Sequence, residues 1–180
     1  MKKIIGFVGP MASGKGAASD YLRKKHDAGY HRFSTMIRDV MRRLDIEDSR
    51  ENMQKLSLML RQTFGQDLFA KAIKAEVESD PHDIVVIDGI RREGDVVYLR
   101  DLPNFILVYI DADIHTRYDR VVRRAENASD KDKTFEQFEK DHEADTEMTI
   151  PPLKNLAQVI IENNGTFEDF HQKIEALISK

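Results

Sequence analysis

The stretch "GFVGPMASGKGAAS", Gly6 to Ser19, decides the fold. It continues the apolar run "IIGFV" and leads into a helical pattern, and within it Gly9, Gly14 and Lys15 satisfy the spacing GxxxxGK. Glycines let successive backbone N–H groups turn inward on phosphate oxygens. The following helix offers the positive end of its dipole, and the lysine adds a point charge. Strand, loop, lysine and helix in that order mark a phosphate-binding loop rather than a glycine-rich turn that binds nothing. A magnesium-ligating hydroxyl usually follows the lysine, but here Gly16 and Ala17 do. A metal would then be held by water, by phosphate oxygens and by a carboxylate from elsewhere in the chain.

Outward from this loop, "DIVVID", "FILVYID" and "VIIE" are short apolar runs separated by amphipathic segments, the pattern of buried parallel strands joined by helices. "YHRF" is a weaker fifth strand between two helices. The expected fold is α/β, a doubly wound five-stranded parallel sheet, in a single domain over residues 1–180. Asp88 ends "DIVVID" and should stand at the carboxyl edge of the sheet, where such folds bind ligands. It is therefore the carboxylate expected to hold a metal through water. Residues 34–81 are patterned as helix almost throughout and are too long for a simple crossover, so a helical substrate-binding insertion is expected there. Residues 125–150 are expected to form a lid or a surface helix hairpin, solvated and mobile in part. Between Glu126 and Glu147 they carry nine acidic residues against three lysines.

Two helices show their faces. Ile114, Tyr118, Val121, Val122 and Ala125 form an apolar stripe, with Arg117, Arg120 and Arg124 together on an adjacent face. "TFED" reads as a capping box opened by Thr166, with Phe167, Phe170, Ile174, Leu177 and Ile178 on one side of the helix it starts.

Composition narrows the class. The 180 residues are 41% hydrophobic and 33% charged with a formal net charge of −4, which describes a soluble globular protein and gives nonspecific nucleic-acid binding no support. With no cysteine, disulfides, thiolate metal sites and thiol nucleophiles are excluded. No apolar run approaches a membrane span, and the stretch after Lys2 and Lys3 is too short for a signal peptide, so a cytoplasmic protein is expected. The six histidines show no HxxxH or HxH spacing.

At this level a family resemblance becomes specific. "GPMASGKGA" resembles the GxPGxGKGT loop of adenylate kinase and other nucleoside monophosphate kinases, in which a glycine also follows the lysine. "STMIRD" resembles that family's STGDxLR element, "DGIRR" its DGFPR element and "DRVVRR" its DRxxxR element, in the family's order. "VIIENNGTFEDF" is similar to the end of dephospho-CoA kinases, and the whole series looks closest to small, largely uncharacterised archaeal-type nucleotide-kinase-like proteins.

The resemblance implies a P-loop kinase with strand order 2-3-1-4-5, ATP and Mg2+ as cofactors, and a small nucleotide as partner, in a monomer or homodimer. Gly9, Met11, Ala12, Ser13, Gly14, Lys15, Gly16 and Ala17 would bind ATP, joined by Asn164. Lys15, Asp88, Arg120 and Arg124 would be catalytic, the two arginines bridging donor and acceptor phosphates. Ser34, Arg38 and Arg92 would hold the acceptor, with Arg91 as a competing choice and Arg61 as a further phosphate or ribose contact. Guanidinium forks suit these places because a transferring phosphoryl group spreads its charge over several oxygens.

The chain departs from adenylate kinase at Ala17, where a threonine is missing, and at "STMIRD", which lacks the STGD aspartate. Gln54 or Gln62 could read a base edge through an amide's paired donor and acceptor. The leading expectation is transfer of the γ-phosphate of ATP to a nucleoside or deoxynucleoside monophosphate. A dephospho-CoA kinase-like enzyme acting on a ribose hydroxyl is the alternative. It wants a carboxylate just after the second strand, where Ser34 and Thr35 stand. A non-catalytic ATP-binding regulator is the third reading.

Overall fold

A computed structural model of the chain describes residues 2–124, 131–142 and 148–179. Residues 125–130 and 143–147 of the acidic segment, Ala125 included, lie outside them, as does the side chain of Arg50. The strands are β1 (Lys3–Val8), β2 (Gly29–Arg32), β3 (Ile84–Asp88), β4 (Phe105–Asp111) and β5 (Val159–Glu162). The helices are α1 (Lys15–His26), α2 (Phe33–Arg43), α3 (Arg50–Phe64), α4 (Leu68–Ser79), α5 (Ile114–Arg124), α6 (Phe135–Asp141) and α7 (Phe167–Ile178), with 3-10 turns at Glu93–Asp95 and Pro151–Leu156.

The sheet is parallel throughout in the order β2-β3-β1-β4-β5. Strands buried on both faces need apolar residues at every position, which is why the strand runs are continuous rather than alternating. Ile4, Val8, Val85, Ile87, Leu107 and Tyr109 pack on one side of the sheet with α2, α3, α4 and the two 3-10 turns. Ile5, Phe7, Val86, Val108 and Ile110 pack on the other with α1 and α7. Each face is a layer of helices, and all five strands point their carboxyl ends to one edge.

Residues 33–79 are three helices, as the sequence pattern leads one to expect, and they sit on one face of the sheet. α3 starts at Ser49, whose hydroxyl accepts from the Asn52 N–H at 3.2 Å. The Thr166 capping box is present, with the hydroxyl accepting from Asp169 N at 3.2 Å and Asp169 Oδ2 accepting from Thr166 N at 3.3 Å. Phe170, Ile174 and Leu177 bury their side chains, whereas Phe167 is 74% exposed. Sitting at the first helical position, it points away from the side that meets the sheet.

Two expectations about α5 and its neighbour change. Arg117 does not share one environment with Arg124 on that face, since it is buried together with Val121 while Arg124 is exposed. The described part of the acidic segment, α6, is also anchored. Phe138 is fully buried, in a cluster where Phe135 stacks on His115 at 4.6 Å and Tyr118 meets both phenylalanines. Burying one such ring is worth about 1.5–3 kcal/mol, enough to hold a seven-residue helix that would not form alone. Among the described residues no helix is long and apolar enough to cross a membrane.

Candidate nucleotide-binding and phosphoryl-transfer site

The loop between β1 and α1 is shaped by its glycines. Gly9 sits at φ 150°, and a Cβ there would lie 2.1 Å from the carbonyl oxygen of Ile110 on β4. Gly14 sits at φ 117° immediately before α1, where a Cβ would lie within 2.3 Å of Asn163 Nδ2. Ala12 takes a left-handed φ of 60° without a glycine's freedom, a sign that the surroundings hold the loop in shape. Among the described residues no side chain caps the N-terminus of α1 and no acidic residue occupies its first turn, which leaves its N–H groups and dipole available to an anion. The Ser13 hydroxyl is buried with no hydrogen-bond partner among the described residues, another donor held inside the loop.

Cations close over this loop through its carbonyl groups. Lys15 Nζ donates to Gly9 O at 2.7 Å and Pro10 O at 2.8 Å. Arg120 donates to Ala12 O at 3.4 Å and Ser13 O at 3.3 Å, and through its other terminal nitrogen to Asn163 O at 2.7 Å. Burial pushes its pKa below the ordinary arginine value. Arg117 donates from Nε to Ala112 O at 2.9 Å and from Nη1 to Met11 O at 3.4 Å, and the same Nη1 meets His142 Nε2. A guanidinium has no lone pair to offer, so His142 Nε2 accepts, which leaves Nδ1–H to donate to Phe138 O at 2.8 Å. Arg124 lies exposed at the end of α5, one turn beyond Arg120.

Asn163 Nδ2 donates to Ser13 O at 2.8 Å, while its own N–H bonds Asp111 O. Asn164, expected among the ATP-binding residues, accepts the Asp113 N–H at 2.8 Å ahead of α5. A shift of one residue at a strand end turns the side chain to the other face, so Asn163 is the one that reaches the loop. Gly16 has open space around the position of a Cβ, so no protein packing demands glycine there. Ala17 is half-buried, and its methyl packs against the core beneath α1 and α7.

The other half of the site lies where β2 and β3 end. Their register pairs Arg32 with Asp88, and β1 pairs Gly6 with Ile87, so Asp88 stands beside the end of β1. Asp88 is 7% exposed and both its oxygens are engaged. Oδ1 accepts the Gly89 N–H at 2.7 Å, and Oδ2 accepts the Tyr30 hydroxyl at 2.7 Å with Arg32 Nε 3.5 Å away. Burial, and then the Asp88 carboxylate, push the Tyr30 phenol pKa well above its usual value, so it remains a donor at neutral pH. Among the described residues no group of three or more His, Cys, Asp or Glu could hold a metal ion directly.

Arg38 donates from Nη1 to Ser34 Oγ at 3.2 Å and pairs through Nε with Asp48 at 3.1 Å, in a partly open position. Arg91 is exposed and Arg92 half-buried at the turn after β3. Their backbone N–H groups donate to Asp95 Oδ2 at 3.0 and 3.1 Å. Arg61 is held quite differently from these three. Only 6% exposed, it pairs with Asp95 Oδ1 at 2.6 Å, donates to Gln66 O and lies over the Phe69 ring. Gln54 and Gln62 are both exposed. The residues that the sequence pattern did not single out are Tyr30, Arg32, His142 and Asn163. Arg117 stood in the arginine series but was given no role there.

The sheet order, the glycine loop with its lysine and the helices on both faces define a P-loop kinase-like protein. The chain belongs to the AAA domain family, whose profile matches residues 5–147. It is 27% identical over 177 residues to a UPF0200 protein of Hyperthermus butylicus, covering 98% of this chain and 94% of that one. In fold it is similar to a shikimate kinase from Bacteroides thetaiotaomicron, with TM-score 0.59, 14% identity and coverage of 98% and 94% of the two chains. It is likewise similar to a gluconokinase from Sinorhizobium meliloti, with TM-score 0.60, 12% identity and coverage of 98% and 91%. A P-loop of this kind implies nucleotide binding and a phosphotransferase-type architecture.

Proposed function

We propose that this protein transfers the γ-phosphate of ATP to a nucleoside or deoxynucleoside monophosphate. The observation that carries this reading is the chemistry of the acceptor edge. The end of β2, the start of α2 and the turn after β3 present Arg32, Ser34, Arg38, Arg91 and Arg92, and the carboxylates beside them are already engaged, Asp88 with Tyr30 and Gly89, Asp48 with Arg38 and Asp95 with Arg61 and the turn. A monophosphate has a second pKa near 6. It is nucleophilic at neutral pH without a base, and catalysis then reduces to positioning and charge neutralisation.

In this reading the loop N–H groups and Lys15 hold the β and γ phosphates, and Lys15 leaves the carbonyls of Gly9 and Pro10 to do so. Arg38 with Ser34 and Arg91 or Arg92 hold the acceptor phosphate, one of whose oxygens attacks the γ-phosphorus. The bond from the γ-phosphorus to the β–γ bridging oxygen breaks, giving ADP and a nucleoside diphosphate. Arg120 and Arg124 neutralise the charge that develops between them. Magnesium, which neutralises the donor phosphates when bound, fits Asp88 through water, since both carboxylate oxygens already have partners.

The likeness in fold to a shikimate kinase and a gluconokinase favours a second reading, transfer to an alcohol such as the ribose hydroxyl of dephospho-CoA. Such an acceptor needs a carboxylate to take its proton. Asp39, the nearest candidate beyond β2, is half-exposed and paired with Arg42 at 2.9 Å. An ADP-release assay across the common ribo- and deoxyribonucleoside monophosphates tests the proposal. Stimulation by at least one of them is expected. Turnover with dephospho-CoA alone would install the second reading, and nucleotide binding without any turnover would leave a binding protein.

A further inference from the structure

We infer that Arg61 and Asp95 form a positioning pair that aims the arginine turn, Arg91 and Arg92, at the acceptor phosphate, an inference that rests on the acceptor reading above. Three observations carry it. The pair is deeply buried, with side-chain exposures of 7% and 2%, and joins residues that are 34 apart in the chain at 2.6 Å. Asp95 gives its other oxygen to the backbone N–H groups of Arg91 and Arg92, which fixes the direction in which both side chains leave the turn. Arg61 in turn is fixed on α3 and α4, through its bond to Gln66 O and its place 4.8 Å above the Phe69 ring.

The chain of contacts therefore runs from the helical layer, through one guanidinium and one carboxylate, to the turn after β3. Stability alone does not call for such a pair, because an apolar pair of similar volume usually does as well or better in a buried position. Among the described residues the Arg61 Nε–H even lies buried without a partner. What the ion pair supplies is geometry. A bidentate carboxylate can satisfy two backbone N–H groups and a guanidinium at once, and an apolar side chain cannot. Arg61 is thereby a positioning residue and not a phosphate ligand, since both of its terminal nitrogens are already committed inside the fold.

The test uses Arg61→Met, which keeps length and packing, with Arg61→Lys as the conservative variant and Asp95→Asn should the first fail to fold. Steady-state kinetics are read separately for ATP and the monophosphate, and amide hydrogen exchange is followed at residues 91 and 92 in the unliganded protein. For Arg61→Met the KM of the monophosphate should rise about tenfold or more, while that of ATP stays within about twofold. Exchange at both amides should quicken by about tenfold, and Arg61→Lys should fall in between. Unchanged exchange at residues 91 and 92, or a parallel rise of both KM values, overturns the inference. If the wild type accepts no monophosphate, the acceptor reading falls, and the exchange experiment alone decides whether Arg61 holds the turn.

Discussion

In the proposed reading, the donor side and the acceptor side of this site are built by opposite means. On the donor side the backbone is the working surface. Gly9, Ala12 and Gly14 bend it, the start of α1 lends its N–H groups, and Lys15, Arg117, Arg120 and Asn163 all grip it by carbonyl oxygens. On the acceptor side the side chains do the work. Tyr30 and Arg32 set Asp88, Ser34 and Asp48 set Arg38, and Arg61 with Asp95 sets the turn that carries Arg91 and Arg92. A backbone cradle accepts any polyphosphate of the right size, whereas a surface of paired side chains can be retuned one residue at a time.

The comparison can be broken most forcefully at Lys15. Lys15→Ala should lower turnover by on the order of 10³-fold while thermal melting stays close to wild type, because the ammonium's bonds to the Gly9 and Pro10 carbonyls lie within the loop itself. Near-normal rates would remove the loop from the chemistry altogether. Gly9→Ala comes next. Its added methyl meets the Ile110 carbonyl and strains a φ of 150°, so urea unfolding should report a loss of about 3 kcal/mol. A fully stable variant would show that the loop does not depend on that close approach.

Asn163→Ala sharpens the contrast between the two sides. It removes the bond to Ser13 O, worth about 1 kcal/mol, and should raise the KM for ATP by several-fold while leaving the acceptor KM alone. Equal changes in both would mean that the two sides are not separable. The smallest effect belongs to Tyr30→Phe, about 1 kcal/mol in stability at neutral pH. Because the folded state raises the Tyr30 pKa above its unfolded value, the phenol's contribution is complete below the unfolded pKa of about 10 and disappears as the pH climbs above it. Wild type should therefore lose stability in the alkaline range more steeply than Tyr30→Phe. Identical alkaline slopes would mean that the hydroxyl does not serve Asp88.

The donor side was legible in the sequence because its requirements are local. A tight turn against β4 needs glycine, an anion site needs a helix start, and the whole stretch from Gly9 to Ala17 is contiguous. The strands were legible for a related reason, since burial on both faces writes an unbroken apolar run. β2 was the exception, because it lies at the edge of the sheet and is only half-buried at Tyr30 and His31. The arginines were visible as residue types but not as roles. Arg61, Arg117 and Arg38 carry the same charge, and only their neighbours separate a buried tie to Asp95 from a clamp on the loop and from a partly open position beside Ser34.

By itself the sequence determined the parallel sheet, its order of elements and the glycine loop between β1 and α1, because glycine geometry, helix starts and two-sided burial act within a few residues of one another. The tertiary structure alone decided which asparagine reaches the loop, which arginines grip the loop carbonyls and which brace the turn after β3. Those choices depend on contacts between residues tens of positions apart, such as Arg61 with Asp95 and Asn163 with Ser13, and no local pattern encodes the distance between them.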